Sequence, residues 1–202
     1  MKKVQGLPVD LGFLDIQFSE YLLYQYYPIW IKDQVHIEPR LMILTKMLDR
    51  CSEHINSVNP KGFDYIYLTV KHQYQHGGAF NRPGWHIDGF GTDDINVVWS
   101  SNQPTVFNSG EFLLGDDEHE SLRQMEEQVK PELDIIFPNK HILVLDNTVP
   151  HRVGEFEEGI RSFVKITYSN NLYNLIGNTI NYELNYERPN VVRDRERNVT
   201  NK

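Results

Sequence analysis

Cysteine is almost missing from this chain: Cys51 is the single one. No intrachain disulfide can form, and a reducing, cytoplasmic setting is the expectation. No apolar run approaches the roughly 20 residues needed to cross a bilayer as a helix, so no membrane partner is expected. The first residues, MKKVQGLPVD, lack the apolar stretch of a secretory leader. Basic excess is absent as well. The net charge is −8, but residues 115–134 (GDDEHESLRQMEEQVKPELD) hold eight acids against two bases, a local −6, which leaves −2 for everything else. That distribution weakens the case for a nucleic-acid partner without closing it. Internal repeats and low-complexity linkers are lacking too. What the 202 residues do contain is 40% hydrophobic and 12% aromatic residues, enough for one properly cored domain.

Two periodicities organise that domain. Residues 38–55 (EPRLMILTKMLDRCSEHI) read as an amphipathic helix, with Pro39 in the first turn and Leu41, Leu44, Met47, Leu48, Cys51 and Ile55 on one stripe. The preceding FSEYLLYQYYPIW reads as a shorter helix or an extended segment broken at Pro28. From residue 64 the period becomes two. In DYIYLTVKHQY, Ile66, Leu68 and Val70 share one face, while Tyr65, Tyr67, Thr69, Lys71 and Gln73 share the other. The first face suits core packing against a helix, and the second suits a cavity lining. Further strands are expected at INVVWS, TVF, GEFLL, KHILVLD and RSFVKITYS, with an acidic helix over 116–130 between them and a possible role for it as a lid. Helices before many short strands imply a mainly β sandwich or barrel with helices outside.

Within this frame PGWHIDGFG, residues 83–91, places His86 and Asp88 two apart. On a strand both point to one spot, where they could form a hydrogen-bonded pair, a general acid and base, or two thirds of a metal site. A third ligand decides between these. His36, His54 and His119 lie on or near helices and are expected at the surface. His141 opens a strand and is expected in hydrogen-bonded packing. His72 and His76 are separated by roughly 13 Å of extended chain. His151, in LDNTVPHRVGEF, follows an apolar strand, and Arg161 begins the next strand ten residues later.

His86-Ile87-Asp88, then His151, then Arg161 resembles the Fe(II)/2-oxoglutarate-dependent dioxygenase superfamily, over residues 65–169, about half the chain. The setting is similar as well: Trp85 before His86, Pro150-His151-Arg152-Val153, and Gly159-x-Arg161. The resemblance implies a double-stranded β-helix, the cupin-like jelly roll, over about 64–170. N-terminal helices within about 1–60 would pack on its major sheet. One domain would span 1–187, followed by a charged tail, 188–202, that could swap onto a second copy to form a homodimer. It also implies that His86, Asp88 and His151 hold Fe(2+), which two neutral imidazoles and one carboxylate suit, leaving three positions open. By the same resemblance 2-oxoglutarate chelates the metal through its C1 carboxylate and keto oxygen, O2 takes the last position, and Arg161 clamps the distal carboxylate through paired charge-assisted hydrogen bonds. Members often carry serine or threonine two residues past that arginine; here Phe163 stands there. Tyr67 or Thr69 could supply the second hydrogen bond, and Lys165, inward-facing with Arg161, could share the anchoring.

The implied activity is hydroxylation of a small molecule, an amino acid or a protein side chain, with release of succinate and CO2. Other readings stay open. A cupin-like metal-binding protein, or a metal-dependent hydrolase or isomerase, could keep the three ligands but would have little need of Arg161. An oxygenase acting on a nucleobase is a further alternative, because Lys71, Arg82 and Arg152 lie near the expected mouth.

Overall fold

The computed structural model describes residues 1–76, 84–102 and 105–192; Arg82 and residues 193–202 of the tail lie outside them. The fold is mainly β. Its strands are β1 (Lys2–Val4), β2 (Val9–Phe13), β3 (Leu22–Ile31), β4 (Gln34–Val35), β5 (Tyr65–Gln75), β6 (Ile95–Ser100), β7 (Thr105–Asn108), β8 (Phe112–Leu114), β9 (Asp134–Ile136), β10 (His141–Leu145), β11 (His151–Val153) and β12 (Gly159–Ser169). The two α-helices are α1 (Thr45–Val58), entered through a 3₁₀ turn over Pro39–Leu44, and α2 (Glu118–Gln128). Among the described residues no helix is long and apolar enough to cross a membrane.

Seven strands form the large antiparallel sheet in the order β2-β10-β6-β12-β5-β3-β4, while β11-β7-β9 form a smaller one and β1 pairs β8. An isolated antiparallel bridge from His86 to His151 adds the 84–88 segment to the small sheet beside β11. Strand alternation divides the large sheet into two faces. Leu68, Val70, Val97, Trp99, Val164, Ile166 and Tyr168 join Leu41, Leu44, Met47, Cys51 and Ile55 of the helical segment in one apolar cluster. The apolar stripe of α1 thus docks on the outer face, as its spacing requires, and at about 1.5–3 kcal/mol per buried large side chain it anchors the sheet. On the inner face Val98, Leu143 and Leu145 cluster with Phe107 and Val149 of the facing layer.

The first thirty-five residues depart from the expected helical start: they form β1 to β4. Pro28 does not break its segment either. It sits inside β3, where the pairing to β5 shifts register between Pro28 and Trp30, since a residue without an N–H is tolerated at a bulge. A second register shift lies between Tyr24 and Tyr27, and Tyr26 there takes a positive φ of 45°. That bulge re-aims Tyr26 toward the inner face. Helix α2 covers less than 116–130 and starts at an Asp117 cap that accepts from Glu120 N at 2.8 Å. His119 is exposed, but His36 and His54 are half-buried rather than at the surface. His141 is hydrogen-bonded, its Nδ1 2.9 Å from Asp10 Oδ2.

Candidate metal centre

Three imidazole or carboxylate side chains meet where the small sheet faces β12. One ligand atom from each of His86, Asp88 and His151 lies within 4.8 Å of the others, and His151 Nε2 is 4.0 Å from Asp88 Oδ2. The chain arranges this through the bridge between His86 and His151, whose backbones exchange two 2.9 Å hydrogen bonds. Both rings are then oriented by their own segments. His86 Nδ1 is 3.0 Å from Gly84 O, and His151 Nδ1 is 3.0 Å from Val149 O. A carbonyl can only accept, so each Nδ1 carries the hydrogen. In a neutral ring the lone pair then falls on Nε2, the arrangement a metal ligand needs. The donor set and its orientation fit a divalent cation.

Helix α2 supports the same segment from outside. Glu126 Oε1 accepts from Trp85 N at 2.7 Å, and Met125 packs with Trp85, Ile87, Phe112 and Leu114. Gly84 has φ +85°, and a Cβ there would lie 2.7 Å from Glu126 Oε1. Both facts favour glycine just before the ligands. α2 is therefore a brace for the ligand-bearing segment.

Behind the ligands, β12 presents Arg161, Phe163, Lys165 and Thr167 inward. They lie opposite Gln73, Lys71, Thr69 and Tyr67 of β5 respectively. Lys165 is not beside Arg161: four residues separate them, roughly 13 Å of strand. Lys165 Nζ lies 3.2 Å from Asp88 Oδ2 and donates to Tyr26 Oη at 3.1 Å. Burial alone would push the Asp88 carboxyl up, but the Lys165 ammonium, then His151 and His86, outweigh it and hold it well below the usual carboxylate range. Burial opposes the charge on Lys165 too, yet Asp88 and Tyr26 raise its pKa overall.

Arg161 is 4% exposed. Its Nε donates to Asn102 O at 3.3 Å, and the Phe156 and Phe163 rings lie 4.8 and 5.6 Å from its Cζ. No carboxylate within 4.0 Å pairs with it among the described residues. Burial lowers its pKa to about 10, so it stays cationic at neutral pH. A buried cation without a counter-charge is costly, and that fits an anionic ligand. Lys71 nearby is pushed down by burial, then by the charges of Lys165 and Arg161.

Tyr67 and Thr69 hold neighbouring segments. The Tyr67 hydroxyl donates to Asn171 O at 3.2 Å and accepts from Tyr173 N at 2.9 Å, and Thr69 Oγ1 accepts from Tyr26 N at 3.1 Å. Tyr173, stacked on Tyr67 at 4.7 Å, donates to the buried Asp94. Arg152 stacks on Trp85 at 5.4 Å and pairs with Asp134 at 3.6 Å. Tyr26, Glu126 and Asn102 escaped the sequence reading because a bulge, a helix docking and a turn bring them in. Gln75 escaped as well, although the inward alternation of β5 that runs from Tyr65 to Gln73 extends to it. The chain matches no family model and no curated protein.

Proposed function

We propose that this protein is a non-haem Fe(II) and 2-oxoglutarate-dependent dioxygenase on a jelly-roll scaffold, hydroxylating a small molecule, an amino acid or a protein side chain. One observation carries the reading: two imidazoles and a carboxylate converge on one point, and a buried guanidinium with no carboxylate partner among the described residues lies on the β12 face behind them. Either feature alone has other uses; together they suit a cation and a dicarboxylate.

Strand order supports the scaffold. From β5 onward the chain visits the large sheet, the small sheet at His86, the large sheet at β6, the small one at β7 and β9, the large one at β10, the small one at β11 and the large one at β12. The two layers read β10-β6-β12-β5 and His86-β11-β7-β9, an order that supports a double Greek-key, jelly-roll reading.

When bound, ferrous iron and 2-oxoglutarate together supply activation of O2 for C–H oxidation, with succinate and CO2 as co-products. The protein's part is placement. His86 and His151 present Nε2 because their Nδ1 hydrogens are tied to backbone carbonyls. Asp88 supplies the single negative charge that offsets part of the metal's, leaving a net attraction for an anionic co-substrate. Lys165 fixes the Asp88 carboxylate against rotation. Arg161, with the Phe156 and Phe163 rings 4.8 and 5.6 Å from its Cζ, offers its donors in the guanidinium plane, the geometry that matches a carboxylate.

The test is succinate formation. Purified protein with ferrous iron, 2-oxoglutarate and air is screened with candidate substrates, and succinate is measured against an Asp88→Ala control. Formation by the wild type and not by the control is expected. Absence of succinate with every substrate and in its absence would favour a hydrolytic or non-turnover metal protein on the same three ligands.

A further inference from the structure

Near Arg161 the inner face carries buried polar atoms that have no partner among the described residues. Gln75 is 8% exposed and faces inward in the alternation that carries Gln73, which is directly opposite Arg161. Gln75 is therefore its diagonal neighbour, at the spacing where side chains still meet. Across from Gln75 stands Gly159, which offers no side chain. Asn102 touches the same guanidinium from the other side, since its backbone carbonyl accepts from Arg161 Nε. Both Gln75 Oε1 and Asn102 Oδ1 are buried without a hydrogen-bond partner among the described residues.

Two residues neighbouring Arg161 thus each carry a buried carboxamide oxygen that has no partner among the described residues, at the same end of the sheet as a buried guanidinium with no carboxylate beside it there. Native interiors rarely leave even one such group unpaired. A single ligand partners all three. Each carboxamide can turn half a revolution and present NH2 where its oxygen now lies, since the two ends have the same shape. The corner then offers N–H donors from three directions. The Phe156 and Phe163 rings, 4.8 and 5.6 Å from the Arg161 Cζ, occupy part of the space around the guanidinium and leave its in-plane N–H donors for a ligand.

We propose that Gln75 and Asn102 complete the clamp for the distal carboxylate of the co-substrate, supplying the hydrogen bonds that Phe163, two residues past Arg161, is unable to make. The inference rests on the dioxygenase reading and assigns specificity to two residues outside its sequence pattern. Phe163 holds the guanidinium plane; the two carboxamides satisfy the remaining oxygen lone pairs. Guanidinium alone pairs with carboxylate and phosphate alike; three donors directed at two oxygens favour the ω-carboxylate, and phosphate serves as the competing probe.

The experiment is calorimetric titration of 2-oxoglutarate, and of inorganic phosphate, into protein loaded with Zn(II), together with melting curves of the unloaded protein. Wild type, Gln75→Leu, Asn102→Leu and Gln75→Glu are compared, and zinc affinity is measured for each. Each Leu variant is expected to bind 2-oxoglutarate about tenfold more weakly, the loss typical of a hydrogen bond to a charged group, with zinc affinity unchanged. Gln75→Glu places a carboxylate where the ligand's would go. It is expected to raise the melting temperature of the unloaded protein by pairing with Arg161, and to weaken 2-oxoglutarate binding by more than a hundredfold. Leu variants that bind as wild type, or a Gln75→Glu protein that melts lower and binds normally, would overturn the clamp and leave the dioxygenase reading standing. Failure of the wild type to bind 2-oxoglutarate would instead remove the dioxygenase reading, and the clamp with it.

Discussion

Lys165 decides how Asp88 behaves before any metal arrives. Its side chain is 12% exposed and that of Asp88 24%, so the pair is partly desolvated, and removing one partner leaves the other's charge stranded. Lys165→Met should therefore destabilise the metal-free protein by about 2 kcal/mol. The same change removes a cation from beside the ligands, so a divalent ion should bind more tightly and restore more stability than it gives the wild type. Melting curves with and without Zn(II) check this; a smaller metal-induced shift in the variant would count against it. His72 offers a pH signature. It stacks on Phe18 at 5.1 Å, lies 2.7 Å from Ser162 Oγ, and burial lowers its pKa below the ordinary 6.5. The unfolded chain consequently takes up this proton first as pH falls. Stability should decline from about pH 6.5 down to the folded value and then level off. The stability difference between wild type and His72→Gln should shrink over that window. A difference that stays constant across it would assign the effect elsewhere.

At the scale of elements, the segments that carry function are positioned by others distant in sequence. Residues 84–88 bear two of the three proposed ligands yet form no strand longer than a bridge; α2 holds them through Glu126 and Met125. Glu126→Ala should lower metal affinity about tenfold, as loss of a supporting hydrogen bond commonly does, while Glu126→Gln should keep most of it. Isothermal titration with Zn(II) measures both, and an unchanged Glu126→Ala protein would show that the loop stands unaided. The elements readable in the sequence were those with a clean period. The helical stripe from Leu41 to Ile55 and the alternations of β5 and β12 stand out because each buries one apolar face on the same core. The short strands β1, β2, β4, β9 and β11 were hidden, being two to five residues long and held by partners elsewhere in the chain. The β3 segment was ambiguous for a different reason: two bulges interrupt its period, and one of them delivers Tyr26 to Lys165.

For the whole molecule, two antiparallel layers do different work. The large sheet takes α1 on one face and turns a row of cationic and polar side chains inward on the other, while the small layer brings His86, Asp88 and His151 against that row. Those three residues and Arg161 stood out in the chain through a spacing that resembles that of one superfamily, while strand alternation fixed only that His86 and Asp88 share a face and which residues face inward with Arg161. Their convergence was not legible, because it depends on the pairing of His86 with His151 across 65 positions of sequence. Nor could the sequence separate Lys165 from Arg161 in role, since both face inward and only the third dimension sets one beside Asp88 and the other beside Asn102. The most direct measurement of the central claim is an anaerobic titration of 2-oxoglutarate into the ferrous protein, following the visible absorption of a 2-oxo acid chelated to ferrous iron. The wild type should develop the band at one equivalent of metal. Asp88→Ala should not, and Arg161→Ala should require about a hundredfold more 2-oxoglutarate with metal binding intact. A wild-type protein that binds ferrous iron but never develops the band would contradict the account.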